Sequence, residues 1–313
     1  MSALLVEAPG LLTTAQDLGR DGFGPMGVSA SGAADAISLR IGNRLVGNPE
    51  GAAALEMTLL GGAFRFDRAA VIAVTGADFG PSLDGVALPM WTSIEIREGQ
   101  TVKFGPSRSG ARAYLCVQGG IAVELFLGSA STHVLSGLGG IEGRALRKGD
   151  RVEVDAANSL FRKRSLSAKA LESLRPRKVI RVTDGPQSDW FAESLWKTLR
   201  GNAFRVSEQS NRMGIRLEGP PIRLDTSREM ITEGVSLGTI QVTPSGQPII
   251  LFVEQQTTGG YPKIANVISA DLHSLGQLRP RDEIRFERVE MNEARALLIQ
   301  QEALLASKEL IQE

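Results

Sequence analysis

Cysteine and histidine are scarce. The 313 residues contain one cysteine, Cys116, and two histidines, His133 and His273. A single thiol excludes an intramolecular disulfide, which fits a reducing cytoplasm. Two isolated histidines leave no zinc-ligand spacing, so no metal is expected. Net charge is also missing: 35 basic residues cancel 35 acidic ones, and nothing points to nucleic acid or an anionic membrane surface. No apolar run reaches membrane-spanning length, and Met-Ser-Ala-Leu-Leu-Val-Glu lacks the basic and apolar parts of a signal peptide. A cytoplasmic, non-membrane protein is the expectation. There is no GxxxxGK[ST] phosphate loop, no GxGxxG between strand and helix, and no nucleophile elbow. Gly137, Gly139, Gly140 and Gly143 therefore read as turn residues.

What is present is an ordinary globular composition, 42% hydrophobic and 22% charged, in a chain long enough for about two domains. After Leu4-Leu5-Val6, the polar residues Thr13, Thr14, Gln16, Asp17 and Arg20 crowd into one segment. Residues 31–46 predict a helix, capped by Ser31 or a neighbour, with Ile37, Ile41 and Leu45 on one face and Gly47 ending it. That helix would plug one end of a sheet. From Glu56 to Val154 short strand-like runs alternate with turns at Asp84-Gly85, Glu98-Gly99, Ser109-Gly110 and Lys148-Gly149. This pattern indicates a β-barrel or sandwich.

Residues 161–178 are basic, with Arg162, Lys163, Arg164, Lys169, Arg175, Arg177 and Lys178 against Glu172 alone. They read as a solvated linker, with an anion or partner site as the alternative. A second β-rich region follows over 179–290. It holds a helix over Ser188–Leu199 with a Glu193–Lys197 pair, and strands at Phe204-Arg-Val206, Thr239-Ile-Gln-Val242 and Ile284-Arg-Phe286. The tail 291–313 reads as a helix packing on its own domain or on a partner. The two regions look like copies. Ala113-Tyr-Leu-Cys-Val117 and Leu146-Arg-Lys-Gly-Asp150 match Ile249-Ile-Leu-Phe-Val253 and Leu278-Arg-Pro-Arg-Asp282 at a nearly constant offset. The expected fold is mainly β: two barrel domains, 1–160 and 179–290, from an internal duplication.

The densest polar display follows the apolar run Pro248–Val253: Gln256, Thr257, Thr258, Gly259, Gly260, Tyr261 and Lys263. Gly259 and Gly260 can take positive φ and let a ligand approach the main chain. The same residues would also serve as a plain polar turn. Further polar candidates are Asp17, Arg20, Arg212 and Glu233. Lys263 can neutralise a carboxylate or phosphate, and Glu233 or Asp17 can act as acid or base.

Several of these stretches together resemble one family. They are Thr13–Arg20, Gly42–Glu50 with Ala54-Leu-Glu56, Gly185–Phe191, Arg212–Pro220, Thr232–Val235 and Gln256–Lys263, in order between about Leu4 and Arg288. The sequence is similar to the KipA family, also called allophanate hydrolase subunit 2 or the biotin-dependent carboxyltransferase family. That family includes the C subunit of bacterial ATP-dependent 5-oxoprolinase. The resemblance implies a pair of cyclophilin-like barrels and a KipI-like partner subunit. In the oxoprolinase, a LamB/YcsF-type subunit joins them, and ATP is consumed as 5-oxoproline opens to glutamate. It implies that the 256–263 loop, Glu233 and the Asp17–Arg20 segment line a cleft for a small lactam or amide. Lys263, Glu233 and Asp17 would then be catalytic, with Gln256–Tyr261, Arg20 and Arg212 contacting substrate. Two alternatives stay open. One is a carboxyltransferase component for urea or an amide, which would need biotin on another polypeptide since no Ala-Met-Lys-Met sequence occurs here. The other is a KipA-type regulatory binding protein.

Overall fold

The computed structural model describes residues 2–156, 161–224 and 230–313. The chain divides into two compact units. The first holds the residues up to Arg20, Ser31–Leu174 and those from Leu304 on; the second holds Asp21–Ala30 and Arg175–Ala303. The expected domain boundary at residue 160 lies outside the described residues.

In the first unit the strands are β1 (Ser2–Ala8), β2 (Leu12–Gln16), β3 (Ala54–Thr58), β4 (Ala63–Phe66), β5 (Ala70–Asp78), β6 (Ser82–Leu83), β7 (Val86–Ala87), β8 (Ser93–Ile96), β9 (Thr101–Lys103), β10 (Ser109–Val117), β11 (Arg151–Val154) and β12 (Ser165–Leu166). Two sheets result, ordered β11-β1-β4-β9-β6-β7 and β2-β3-β10-β5-β8. They share one core because strand residues two apart point the same way. Leu4 and Val6, Phe64 and Phe66, Ile72 and Val74, Leu115 and Val117, and Val152 and Val154 all enter it.

The intervening residues of the second sheet, including Ala73, Tyr114 and Cys116, face helix α1 (Ala36–Val46) through Ile37, Ile41 and Leu45. The helix thus lies along a sheet face rather than plugging a sheet end. Truncating Ile41 to Ala would cost about 2–5 kcal/mol at such a site. Asp35 caps this helix, its carboxylate accepting from Ser38 N at 3.0 Å. Ser31 instead donates its hydroxyl to Thr132 O at 3.0 Å. Gly47 ends the helix at φ 82°, as expected.

Part of the basic stretch is ordered structure. It carries β12 and a short helix α2 (Ala168–Ser173), because Leu166, Ala170 and Leu174 are buried among its charges.

The second unit is a closed barrel. Its strands are β13 (Val179–Asp184), β14 (Phe204–Val206), β15 (Gly214–Glu218), β17 (Thr239–Val242), β18 (Pro248–Leu251), β20 (Lys263–Val267) and β21 (Glu283–Arg288). Two-residue strands β16 (Glu233–Gly234) and β19 (Thr258–Gly259) pair separately. The barrel order is β13-β20-β17-β18-β15-β14-β21, closed by parallel pairing of β13 with β21. Phe204 and Phe286 meet in its interior with ring centroids 5.9 Å apart.

Helix α3 (Glu193–Gly201) is shorter than expected. Ser188–Trp190 forms a 3-10 turn, and Glu193 bonds Arg200 at 2.7 Å instead of pairing with Lys197. After the one-turn helix α4 (Leu272–Gly276), the terminal helix α5 runs over Met291–Ala306 and stops short of residue 313. Beyond it a strand β22 (Ile311–Gln312) pairs with β12.

The repeated motif is visible as one turn made twice. Asp150 Oδ2 accepts from Arg147 N at 2.7 Å, and Asp282 Oδ2 accepts from Arg279 N at 2.9 Å. Before each aspartate sits a left-handed residue, Gly149 at φ 92° and Arg281 at φ 72°. Each turn is held to a valine of a neighbouring strand. Gly149 N and Asp150 O bond Val6, while Arg281 N and Asp282 O bond Val206.

Candidate functional site

The second unit gathers most of the candidates. Strand β20 opens with Lys263, which is 1% exposed. Its ammonium lies 2.7 Å from Glu233 Oε1 and donates to Gln187 Oε1 at 3.4 Å. Gln187 Nε2 donates to the same Glu233 oxygen at 2.9 Å. The turn ahead of α3 holds Gln187 there, through Gln187 N to Lys263 O at 3.2 Å and Lys263 N to Gln187 Oε1 at 3.2 Å. Three side chains from three elements therefore close a small ring of donors and acceptors.

The pair is lopsided in solvent: the Glu233 side chain is 45% exposed while the Lys263 side chain is 2% exposed. The Lys263 ammonium, and after it the Gln187 amide, hold the Glu233 carboxyl below the ordinary glutamate range. Glu233 is thus an ionised acceptor at neutral pH, paired with the Lys263 ammonium. Such an ammonium can stabilise an oxyanion.

Glu233 is aligned by the β16–β19 ladder, which sets it opposite Gly259 and Gly234 opposite Thr258. Val235 N donates to Thr257 O at 3.1 Å, extending that ladder. Neither Gly259 nor Gly260 has the positive φ expected of them. Gly259 answers a different need. A Cβ there would stand 2.3 Å from Gln241 Nε2 and 2.9 Å from Gln256 Nε2. Thr258 and Tyr261 are exposed beside them. Arg212 braces the base of the loop, with its Nε bonded to the Glu254 carboxylate and both residues buried. Glu254 N also donates to Arg212 O at 2.8 Å.

Asp17 and Arg20 belong to the first unit. Asp17 Oδ1 accepts from Gly19 N at 2.7 Å, Ser129 Oγ at 2.7 Å and Ser131 Oγ at 2.5 Å, and Oδ2 from Ala130 N at 2.6 Å. Arg20 donates to Ser131 O and stacks over Phe126, 5.4 Å from the ring centre. Both bind the segment 126–132. Nearby, Glu56 Oε2 accepts from Tyr114 Oη at 2.7 Å and Ala34 N at 2.8 Å, fixing the approach to α1. Cys116 is buried against α1, and burial pushes its thiol pKa up, away from nucleophile duty. Gly137, Gly139, Gly140 and Gly143 are all left-handed, as turn residues are.

Two site residues escaped sequence reasoning. Gln187 lies inside the Gly185–Phe191 stretch without a motif of its own. Gln241 had a usable signal, a lone amide in the otherwise apolar or β-branched strand Thr239-Ile-Gln-Val242. Among the described residues no group of three or more His, Cys, Asp and Glu side chains could hold a metal ion. Among them, too, no helix is long and apolar enough to cross a membrane.

A family model, carboxyltransferase domain, subdomain A and B, matches residues 26–288. The chain belongs to this carboxyltransferase-domain family. It is 39% identical over 284 residues to the 5-oxoprolinase C subunit of Haemophilus influenzae, covering 91% of this chain and 90% of the relative. The C subunit of the Escherichia coli 5-oxoprolinase is likewise 39% identical, over 287 residues. Urea amidolyase of Saccharomyces cerevisiae is 34% identical over 98% of this chain, which spans only 18% of that enzyme. A solved structure of the K. lactis urea amidolyase superposes with a TM-score of 0.90 at 32% identity, covering 99% of this chain and 21% of the other.

Proposed function

We propose that this chain is a subunit of an ATP-dependent lactam-opening complex that converts 5-oxoproline to L-glutamate in the cytoplasm. Its partners in this reading are KipI-like and LamB/YcsF-like subunits. The near end-to-end match to oxoprolinase C subunits supports it, since 91% of this chain aligns with 90% of the relative. The observation that carries the chemistry is the buried Lys263 ammonium beside the ionised Glu233. Opening a lactam with water needs the anionic substrate held in place and a proton moved from the water to the departing nitrogen. Lys263 would hold the substrate's negative charge, and Glu233, once released from Lys263, would accept and pass on that proton. Gln256–Tyr261 would contact the substrate. Asp17, Arg20 and Arg212 fit positioning of the loops that they brace. ATP is consumed by the complex, and no residue of this chain is assigned to it.

A second reading, carboxyl transfer to urea or an amide with biotin carried elsewhere, is favoured by the 0.90 TM-score to urea amidolyase. The deciding experiment mixes this chain with its two partners, ATP and 5-oxoproline, and omits each polypeptide in turn. Glutamate that requires all three supports the first reading. Lys263→Met should then lower turnover by about a hundredfold. An assembled but inert complex rejects it and leaves carboxybiotin-dependent transfer as the assay to run.

A further inference from the structure

Gln241 is a polar side chain of this site whose role is unfilled. It is 2% exposed, and its buried Nε2 has no hydrogen-bond partner. Unmatched buried donors are rare because desolvation goes uncompensated, so each asks for an acceptor. The register pairs Gln241 with Lys263 on neighbouring strands, just past a shift in register after Ile240. Directly opposite residues project to the same face of a sheet. Gln241 Nε2 and Gln256 Nε2 converge on the space above Gly259, within 2.3 and 2.9 Å of where a Cβ would sit. Gly259 in turn is the cross-strand partner of Glu233. Two donors, the Lys263 ammonium and the Gln187 amide, thus reach the exposed Glu233, while the Gln241 amide over its cross-strand neighbour Gly259 stays unmatched.

We propose that Lys263 and Gln187 hold Glu233 as the internal occupant of a carboxylate-binding subsite, that the carboxylate of an incoming ligand displaces it, and that Gln241 supplies a further donor which only this ligand reaches. Charge favours a carboxylate over a neutral carbonyl. Once Glu233 leaves, the buried Lys263 ammonium needs another anion, because an uncompensated buried charge is strongly disfavoured. Glu233 can leave cheaply, since its side chain is already half in water and its strand is two residues long. Gly259 keeps the space clear in which the two amides meet. Gln241 is then a specificity residue for acidic ligands. The proposal rests on the lactam-opening reading for the identity of the ligand, 5-oxoproline, which carries such a carboxylate.

The test is calorimetric titration of the full chain with three probes. 5-Oxoproline has lactam and carboxylate, 2-pyrrolidone the lactam alone, and propionate the carboxylate alone. Propionate should compete with 5-oxoproline, and 2-pyrrolidone should not. Glu233→Gln, which removes the competing charge, should tighten propionate about tenfold, and Gln241→Met should weaken it about tenfold. Propionate binding unchanged or weakened in Glu233→Gln would overturn the subsite. Glu233 is exposed, so that arm stands even if Gln241→Met fails to fold. The two readings fail separately. A complex that turns over 5-oxoproline while propionate ignores both variants removes the subsite and keeps the reaction. An inert complex whose chain still shows these carboxylate responses does the reverse.

Discussion

In the first unit the Asp17 carboxylate is buried and accepts four hydrogen bonds, from two hydroxyls and two backbone amides. In the second the Glu233 carboxylate is half exposed and shares one oxygen between Lys263 and Gln187. Sequence reasoning offered both as acid or base, and chemically they are near twins. Their surroundings differ in how far each carboxylate is buried and saturated. The four donors that reach Asp17 are all spoken for, so the group works as a staple between the end of β2 and residues 129–131. Around Glu233 a buried amide donor still lacks an acceptor. A carboxylate saturated by buried donors builds structure, and one half in water with two donors can exchange them for something else.

The largest expected effect falls on the staple. Asp17→Ala strands the hydroxyls of Ser129 and Ser131 and two backbone N–H groups in a buried setting. Each such loss has a penalty of about 1–3 kcal/mol, and partial relaxation brings the expected total to about 3 kcal/mol. Urea denaturation would read it as a lower midpoint with an unchanged slope. Asp17→Asn should rescue little, because its NH2 group faces donors where an acceptor is needed. If the asparagine variant is as stable as the parent, the staple account is wrong and the two carboxylates are more alike than the geometry says.

The twin turns give an intermediate test, and they show what a sequence can reveal. Lys148-Gly149-Asp150 and Pro280-Arg281-Asp282 are recognisable as copies in the sequence alone, since a tight turn restricts its residue types. Arg281 holds in the second copy a left-handed conformation that Gly149 adopts without steric cost. Arg281→Gly should therefore raise stability by about 1 kcal/mol, and Gly149→Ala should lower it by about 1 kcal/mol. Thermal melts of the two variants should move in opposite directions. Shifts of the same sign would mean that the turns are similar in shape and different in energetics.

The apolar frame was equally legible, because burial imposes periodicity. Ile37, Ile41 and Leu45 on α1 and the alternating pairs of the first core follow directly from it. Boundaries were less so. The tail looked helical to residue 313, yet Ile311–Gln312 found a strand partner in Ser165–Leu166, a pairing that no local pattern encodes. Of the site, the loop 256–263 and Glu233 were visible as polar density near glycines. Gln187 and Gln241 were not, because their roles come from which strands the barrel sets side by side. Gly259 stood out for the wrong property, its backbone freedom, when the structure uses its lack of a side chain.

The smallest effect is also the one most specific to the second unit. Glu233 is ionised and paired in the folded chain, and its folded pKa is lowered by the Lys263 ammonium and the Gln187 amide. A lowered carboxyl pKa contributes stability that is fully present above the unfolded value, about pH 4.3 for a glutamate. That contribution fades as pH falls through the folded value, where both states carry the proton. Glu233→Gln keeps a side-chain oxygen for Lys263 and removes only the charge. The parent should therefore melt slightly above the variant at neutral pH, and the gap should close as pH falls below the glutamate range. Solvent screening keeps the gap small, and added salt should shrink it further. A gap that persisted at low pH would trace the pairing to hydrogen bonding or packing rather than charge. Glu233 would then resemble Asp17, a fixed part of the frame, and would be a poor group for a ligand to displace.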